Sequence, residues 1–443
     1  MLAAMPHSSV PPPPREPAAR RDRGDACPGS LRLHTADDGA LARIRIPAGV
    51  LTVSQARAVQ DVARRLGDGA LHLTSRGNVQ LRGLGPDDGR ELADVLAGAG
   101  LLPSVRHERA RNVVASPLCG LDGRGSADVQ GWARELDALL CDSAAAAGLS
   151  GRFLFACDDG RGDVAGLEAD VTLIASAGAG ADAGALLCAG GARETLMVPA
   201  EHAARCALLA AETFLSAARA AGTGAWRVAE LPGGPAVFVR AVAERLAAAG
   251  IPATARDRAD RLPSGAGPEP GTVRPPDGRA ALCVAAPLGL ITSAQWRLLT
   301  DTALHDGSGE LRLTPWRGVV LPGLGPDAAA VKAAGLAAAG LITGPDSPWH
   351  GVGACIGRPG CAKSLADVRA DAALAVGPGR GLPVYWSGCA RRCGHPQGDR
   401  VDVVATAAGY EVSVRGERLR DPMNDPSEFA ATVAEARTTP LTQ

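Results

Sequence analysis

Four cysteines near the carboxyl end carry the strongest chemical signal in the chain. Cys355 and Cys361 stand six positions apart in GACIGRPGC, Cys389 and Cys393 four apart in SGCARRCGH, with 27 residues between the pairs. Thiolates are soft ligands, and two such pairs on two loops can close around one centre. A [4Fe-4S] cluster suits the wide C-x5-C and C-x3-C spacings. Structural zinc is the alternative, although it usually takes tighter pairs, and thiols that bind nothing are the other. Glycines at 353, 357, 360, 388 and 394 are expected to let the backbone approach inorganic sulfur and aim N–H groups at it. Ser364 is expected at a helix start, bringing a positive dipole end close to Cys361.

Something must hold these loops, and an internal repeat says what. PAGVLTVSQAR at 47 to 57 lies over PLGLITSAQWR at 287 to 297, 240 positions apart. The same ungapped offset carries LHLTSRGNVQLRGLGPD from Leu71 onto LRLTPWRGVVLPGLGPD from Leu311. Each copy reads as an alternating strand, a helix with Ser or Thr near its start, a second strand, a turn at Gly-Pro-Asp and another helix. The expected fold class is α+β, a pseudo-twofold duplication of a small unit. We divide the chain into a disordered Pro- and Arg-rich lead (1–25), half-unit one (26–105), a middle domain (106–251), a linker (252–280), half-unit two (281–345) and a cluster domain (346–443).

Composition narrows the partners. The 443 residues are 46% hydrophobic and 21% charged with a net charge of −1, so a sizeable core is expected and a nucleic-acid footprint is not. No apolar run reaches membrane-spanning length, and the start lacks the apolar core of a signal peptide. A cytoplasmic location and reduced thiols are therefore expected for the eleven cysteines. Cys27 in CPG reads as a turn residue, and Cys119, Cys141, Cys157, Cys188, Cys206 and Cys283 as small core residues. Lysine occurs only at 332 and 363, leaving 44 arginines, so any role for an arginine has to be argued from its position.

The cysteine spacing, the duplicated half-unit and TSRGNVQLRG together resemble the sulfite and nitrite reductase superfamily over roughly residues 26 to 430. That resemblance implies ferredoxin-like half-units and a [4Fe-4S] cluster beside a modified tetrapyrrole in the groove between them. ACPGSLRLHTADDGALARIRIPAGVL at 26 to 51, with WSGCARRCGHP and the short length, is most similar to the precorrin-3B synthase branch of aerobic cobalamin biosynthesis. The resemblance places Arg76 and Arg111 at polar contacts to the macrocycle and reacting ligand, and aligns Arg152 with a proton-delivering lysine. Arg43, Arg45, Arg82 and Arg317 are further candidates to bind ring carboxylates, which guanidinium groups grip bidentately. A solvated surface role is the plain alternative for each.

One departure separates the branches. Sulfite reductases carry a Lys-Phe-Lys element that helps deliver protons; the matching stretch is SGRFLFACD, with Arg152 and Leu154 in place of the lysines. Arginine is a poor proton donor and leucine is none. The resemblance then implies a monooxygenase: precorrin-3A as substrate, dioxygen as oxidant, hydroxylation at C20 with γ-lactone formation, and electrons from NADH through a separate reductase or a ferredoxin. Cys393 matches the thiolate that bridges cluster and tetrapyrrole iron in the reductases, a bridge that has no iron partner with a metal-free substrate. The branch is also associated with a mononuclear non-haem iron. His72, His107 and His395 lie near the motifs and could contribute to a site of two histidines and a carboxylate, or serve only in packing and hydrogen bonding. A sirohaem-dependent sulfite or nitrite reductase and a non-catalytic iron–sulfur or zinc protein stay open as other readings.

Overall fold

The repeated half-units fold by lending each other a strand. In the first sheet the order is His34–Ala36, Gly39–Ile44, Val79–Leu84, Leu71–Leu73 and then Leu290–Ile291 from the second copy. In the second it is Gly271–Val273, Ala280–Ala285, Gly318–Leu324, Glu310–Leu313 and then Val50–Thr52 from the first. Ile291 lies opposite Leu71, and Leu51 opposite Leu311, related by the same 240-residue offset. All four side chains are buried in one core that spans both copies. The fold is therefore α+β with duplicated ferredoxin-like units. The computed structural model describes residues 25, 27–177, 183–257, 265–275, 278–377, 381–395, 398–420, 422–423 and 426–438. The lead read as disordered falls outside the described residues through position 24.

Helix formation follows local chemistry in both copies. Thr52 caps Val53–Leu66 and Thr292 caps Ser293–His305, each with a glutamine three residues on that returns its side chain to the cap backbone. This reciprocal capping satisfies N–H groups that the first turn leaves open. The two helices pack together, and the buried Trp296 indole donates to the Ala56 carbonyl at 2.8 Å.

The middle domain is a six-stranded sheet in the order Thr254–Asp257, Glu194–Val198, Ala183–Ala189, Val171–Ala177, Phe155–Asp158 and Val113–Ala115. Helices Val129–Asp142, Ala203–Ala221 and Gly234–Ala248 share its core. The stretch expected to be a linker, 252 to 280, instead contributes strands to two sheets: Thr254–Asp257 here and Gly271–Val273 in half-unit two. The carboxyl-terminal sheet runs Val352–Ala354, Val384–Ser387, Val401–Thr406, Gly409–Val414 and Glu417–Arg418. Among the described residues no helix is long and apolar enough to cross a membrane.

Candidate functional site

Parallel pairing brings the cysteine loops together. Val352–Ala354 and Val384–Ser387 run side by side with Ala354 opposite Trp386, so both chains leave the sheet at one end. Cys355 follows the first strand and Gly388-Cys389 the second. The Cys355 amide donates to the Trp386 carbonyl at 2.9 Å, and the Gly388 amide donates to the Cys355 sulfur at 3.2 Å. The segment from Cys361 folds back so that the Leu365 amide reaches the Gly388 carbonyl at 2.8 Å. Burial raises the pKa of the Cys393 thiol, and negative charge on Cys389 and Cys355, with a smaller effect from Cys361, raises it further. The Cys393 sulfur thus lies within electrostatic reach of the other three. Yet among the described residues no three His, Cys, Asp or Glu side chains converge tightly enough to hold a single metal ion. Four thiolates on two loops are a donor set that either an iron–sulfur cluster or a zinc ion would take.

One expectation about these loops needs correction. Ser364 is buried in a turn, and the helix begins at Val368, capped by the Asp367 side chain on the Ala370 amide. Several of the glycines also have close protein neighbours. A Cβ at Gly388 would strike the Ser364 hydroxyl, at Gly353 the Tyr385 ring, at Gly357 Val368, and at Gly360 Asp38 and Arg82.

A basic trough lies on the polar face of the first half-unit's sheet. Arg43 and Arg45 alternate onto one face of Gly39–Ile44 and its extension, with Gln80 opposite Arg43 and His72 opposite Gln80. Arg76 donates to the carbonyls of Gly151 and Arg152 at 3.1 and 3.3 Å, and Arg45 reaches the same Gly151 oxygen at 3.5 Å. Arg45 is 2% exposed, and among the described residues its Nε and Nη1 have no hydrogen-bond partner; neither has the Nε of Arg43. Burial, then the charges of Arg43 and Arg76, push Arg45 down to about 9. Burial, then Arg227 and Arg43, push Arg76 down to about 10. Orphaned cationic donors at this depth call for an anion. Arg227, which the sequence reading missed, completes the group and is ion-paired with Asp170 at 2.6 Å. Cys27 is no plain turn residue: its thiol stands beside Arg45 and Arg43, its pKa raised by burial and by Asp25.

The second copy has no such trough. The positions of Arg43, Arg45, Arg76 and Arg82 are held there by Cys283, Ala285, Trp316 and Pro322. Cys283 and Val320 sit in an apolar cluster covered by Leu118 and Leu121. Duplication has left one charged face and one closed one.

Other candidate arginines are already engaged. Arg111 is buried, held bidentately by Asp137 with both contacts at 2.7 Å and donating to Leu101 at 2.8 Å. A guanidinium so saturated is not free to grip a macrocycle. Arg82 is likewise buried against Asp38, at 2.7 and 2.6 Å, and donates to the Gly360 carbonyl at 2.7 Å. Arg152 is exposed, its guanidinium 4.9 Å above the Trp226 ring. Arg317 turns to the loop that carries Cys389 and Cys393 and donates to the Gly394 carbonyl at 2.9 Å. The unforeseen Arg369 donates to the Cys355 carbonyl at 3.2 Å.

The histidines do not assemble. The His107 ring is fixed between Ser104 and the Ser143 carbonyl, His72 bonds Asp68 at 3.3 Å, and His395 is exposed on the Cys393 loop. Cys119, Cys157, Cys188, Cys206 and Cys283 are buried as expected, and Cys141 partly so.

Comparison with known proteins agrees with this geometry. The nitrite/sulfite reductase ferredoxin-like half domain matches twice, at residues 34–99 and 273–339. A precorrin-3B synthase from Sinorhizobium sp is 26% identical over 401 residues, 89% of this chain and 83% of that one. A ferredoxin–nitrite reductase from Synechococcus elongatus is 28% identical, covering 81% and 74%. The sulfite reductase [NADPH] hemoprotein beta-component of Acidithiobacillus ferrooxidans is 27% identical, covering 87% and 77%. All three relatives are oxidoreductases. The structure of the NirA protein of Mycobacterium tuberculosis superposes with a TM-score of 0.69 at 19% identity over 94% of this chain and 83% of that one, a likeness of fold. With two half-domain matches in register with the strand exchange, and relatives aligned along most of its length, the chain is similar in sequence and fold to the sulfite and nitrite reductase superfamily.

Proposed function

We propose that the chain is a precorrin-3B synthase, an NADH- and dioxygen-dependent monooxygenase whose tetrapyrrole is substrate and not prosthetic group. The observation that carries this reading is the state of the two positions where reductases hold lysines. Leu154 is 4% exposed within an apolar cluster, and Arg152 stacks on Trp226. Neither can deliver the protons that six-electron reduction of an oxyanion consumes. The similarity to the Sinorhizobium protein supports the same choice.

In this reading Arg43, Arg45 and Arg76 bind the acetate and propionate groups of precorrin-3A, whose carboxylates satisfy the orphaned donors. The carbonyls of Gly151 and Arg152 fix the direction of Arg76, so the ring is oriented before oxygen reacts. Cys355, Cys361, Cys389 and Cys393 would hold the cluster, which when bound supplies electrons singly, so a separate reductase has to accept hydride from NADH and pass the electrons on one at a time, directly or through a ferredoxin. One oxygen atom enters the substrate at C20 and the other leaves as water, with two electrons and two protons consumed; a ring acetate then adds through its oxygen across an adjacent double bond of the macrocycle, which takes up the carboxyl proton, and so closes the γ-lactone with no further redox change.

The test is turnover of precorrin-3A with NADH, a reductase and ¹⁸O₂, read by mass spectrometry. One labelled oxygen in the product is expected; a product without label overturns the proposal. The 28% and 27% identities to nitrite and sulfite reductases favour a second reading, a sirohaem reductase. It would be recognised by a bound tetrapyrrole absorption band and anaerobic reduction of nitrite or sulfite.

A further inference from the structure

Each half-unit reaches across to one cysteine loop, and the two contacts are made by different residues. From half-unit one, the Arg82 guanidinium donates to the Gly360 carbonyl while held by Asp38, and the Asp37 carboxylate accepts the Ala362 amide. Gly360 and Ala362 flank Cys361, so this hairpin grips both sides of that residue. A Cβ at position 360 would lie 2.7 Å from Asp38 and 3.0 Å from Arg82, so a side chain there would displace both. From half-unit two, Arg317 donates to the Gly394 carbonyl at 2.9 Å and lies 5.7 Å from the centre of the Tyr385 ring. The Tyr385 hydroxyl donates to the Cys393 carbonyl at 2.8 Å.

Backbone strain marks the second contact. Arg317 has φ +59, where the equivalent residue of the first copy is Gly77 with φ +63. A left-handed non-glycine residue costs on the order of 1 kcal/mol or more, which surrounding contacts must offset. Tyr385, Gly394 and the loop they hold are those contacts. The position equivalent to Arg82 is Pro322, so the grips are not symmetric copies and each belongs to one loop.

We infer that Arg82 with Asp38, and Arg317 with Tyr385, are positioning residues for the cluster ligands Cys361 and Cys393, and that neither arginine binds substrate carboxylate. The inference rests on the four cysteines holding an iron–sulfur cluster. Groups that orient ligating residues typically change metal affinity 10- to 100-fold when removed. Loss of a nearby guanidinium also removes positive charge that favours the reduced, more negative cluster, so its potential falls.

The experiment uses the full-length, anaerobically purified protein and compares Arg82→Met, Asp38→Asn, Arg317→Ala, Arg317→Lys and Tyr385→Phe with the surface control Arg57→Ala. Readouts are the rate of iron loss to a chelator, the EPR spectrum of the reduced cluster and its midpoint potential. Chelator-driven loss about 10-fold faster is expected for Arg82→Met, Asp38→Asn and Arg317→Ala, with altered EPR signals and, for Arg317→Ala, a more negative potential partly restored in Arg317→Lys. Should Arg82→Met fail to fold, Asp38→Asn carries that arm. Wild-type spectra, potentials and iron-loss rates in these variants overturn the inference, whereas a wild-type protein lacking iron and sulfide overturns the cluster assignment beneath it.

Discussion

Arg45 and Arg76 donate to one acceptor, the carbonyl oxygen of Gly151, at 3.5 and 3.1 Å. That single oxygen cannot balance two guanidinium charges, and among the described residues Arg45 keeps two nitrogens without hydrogen-bond partners. Replacing a buried, underpaired ion by an apolar residue of similar size often stabilises by about 1 to 4 kcal/mol. Arg45→Met is therefore expected to melt higher than the wild type while binding an octacarboxylate porphyrin about 10-fold or more weakly. Thermal unfolding and a fluorescence titration on the same preparations check both halves. A destabilised variant with unchanged porphyrin affinity would show that Arg45 serves the fold alone.

The exchanged strands make the half-units one cooperative body. Leu71 and Leu311 are fully buried in the core they share, and truncating either leaves a cavity whose cost is about 2 to 5 kcal/mol. Leu71→Ala and Leu311→Ala should each lower a single calorimetric transition common to both half-units. Two separable transitions, one affected by each variant, would contradict the exchange.

A buried carboxyl makes stability depend on pH. Burial pushes Asp163 from 3.8 up to about 7, Asp158 and Asp159 adding to the rise while the Ser116 hydroxyl and Arg161 oppose it. With the folded value above the unfolded one, its contribution is fully present below pH 4 and is lost as pH rises through 7. The slope approaches roughly 1.4 kcal/mol per pH unit within that window. Asp163→Asn should flatten the decline between pH 4 and 7 and melt above the wild type at pH 8. Melting curves that stay parallel across this range would mean the carboxyl is ionised in the fold throughout.

Much of this was legible before the coordinates. The constant offset between copies exposed the duplication because an ungapped repeat preserves strand length, turn and cap together: Thr52 and Thr292 both cap helices as their sequences suggest. The cysteine pairs stood out by their spacing, and the parallel strands before Cys355 and Cys389 bring those two loops to one sheet end. What the chain did not reveal is pairing at a distance. Leu290–Ile291 is two residues long, too short to carry a pattern, and its partner lies in the other copy. Arg82 and Arg111 looked like free cations because Asp38 and Asp137 lie 44 and 26 residues away. Arg227 and Arg369 were missed for the converse reason: no motif surrounds them, and only folding brings them to the trough and the cluster loop.

The account depends most on four thiols sharing one centre. Metal and acid-labile sulfide analysis of anaerobically purified protein, with EPR of the reduced state, tests this most directly when repeated on Cys355→Ser, Cys361→Ser, Cys389→Ser and Cys393→Ser. The expected result is about four iron and four sulfide per wild-type chain, the content of one [4Fe-4S] cluster, with loss or clear alteration of the signal in every variant. One zinc per chain, or iron that persists unchanged in any of the four, would contradict it.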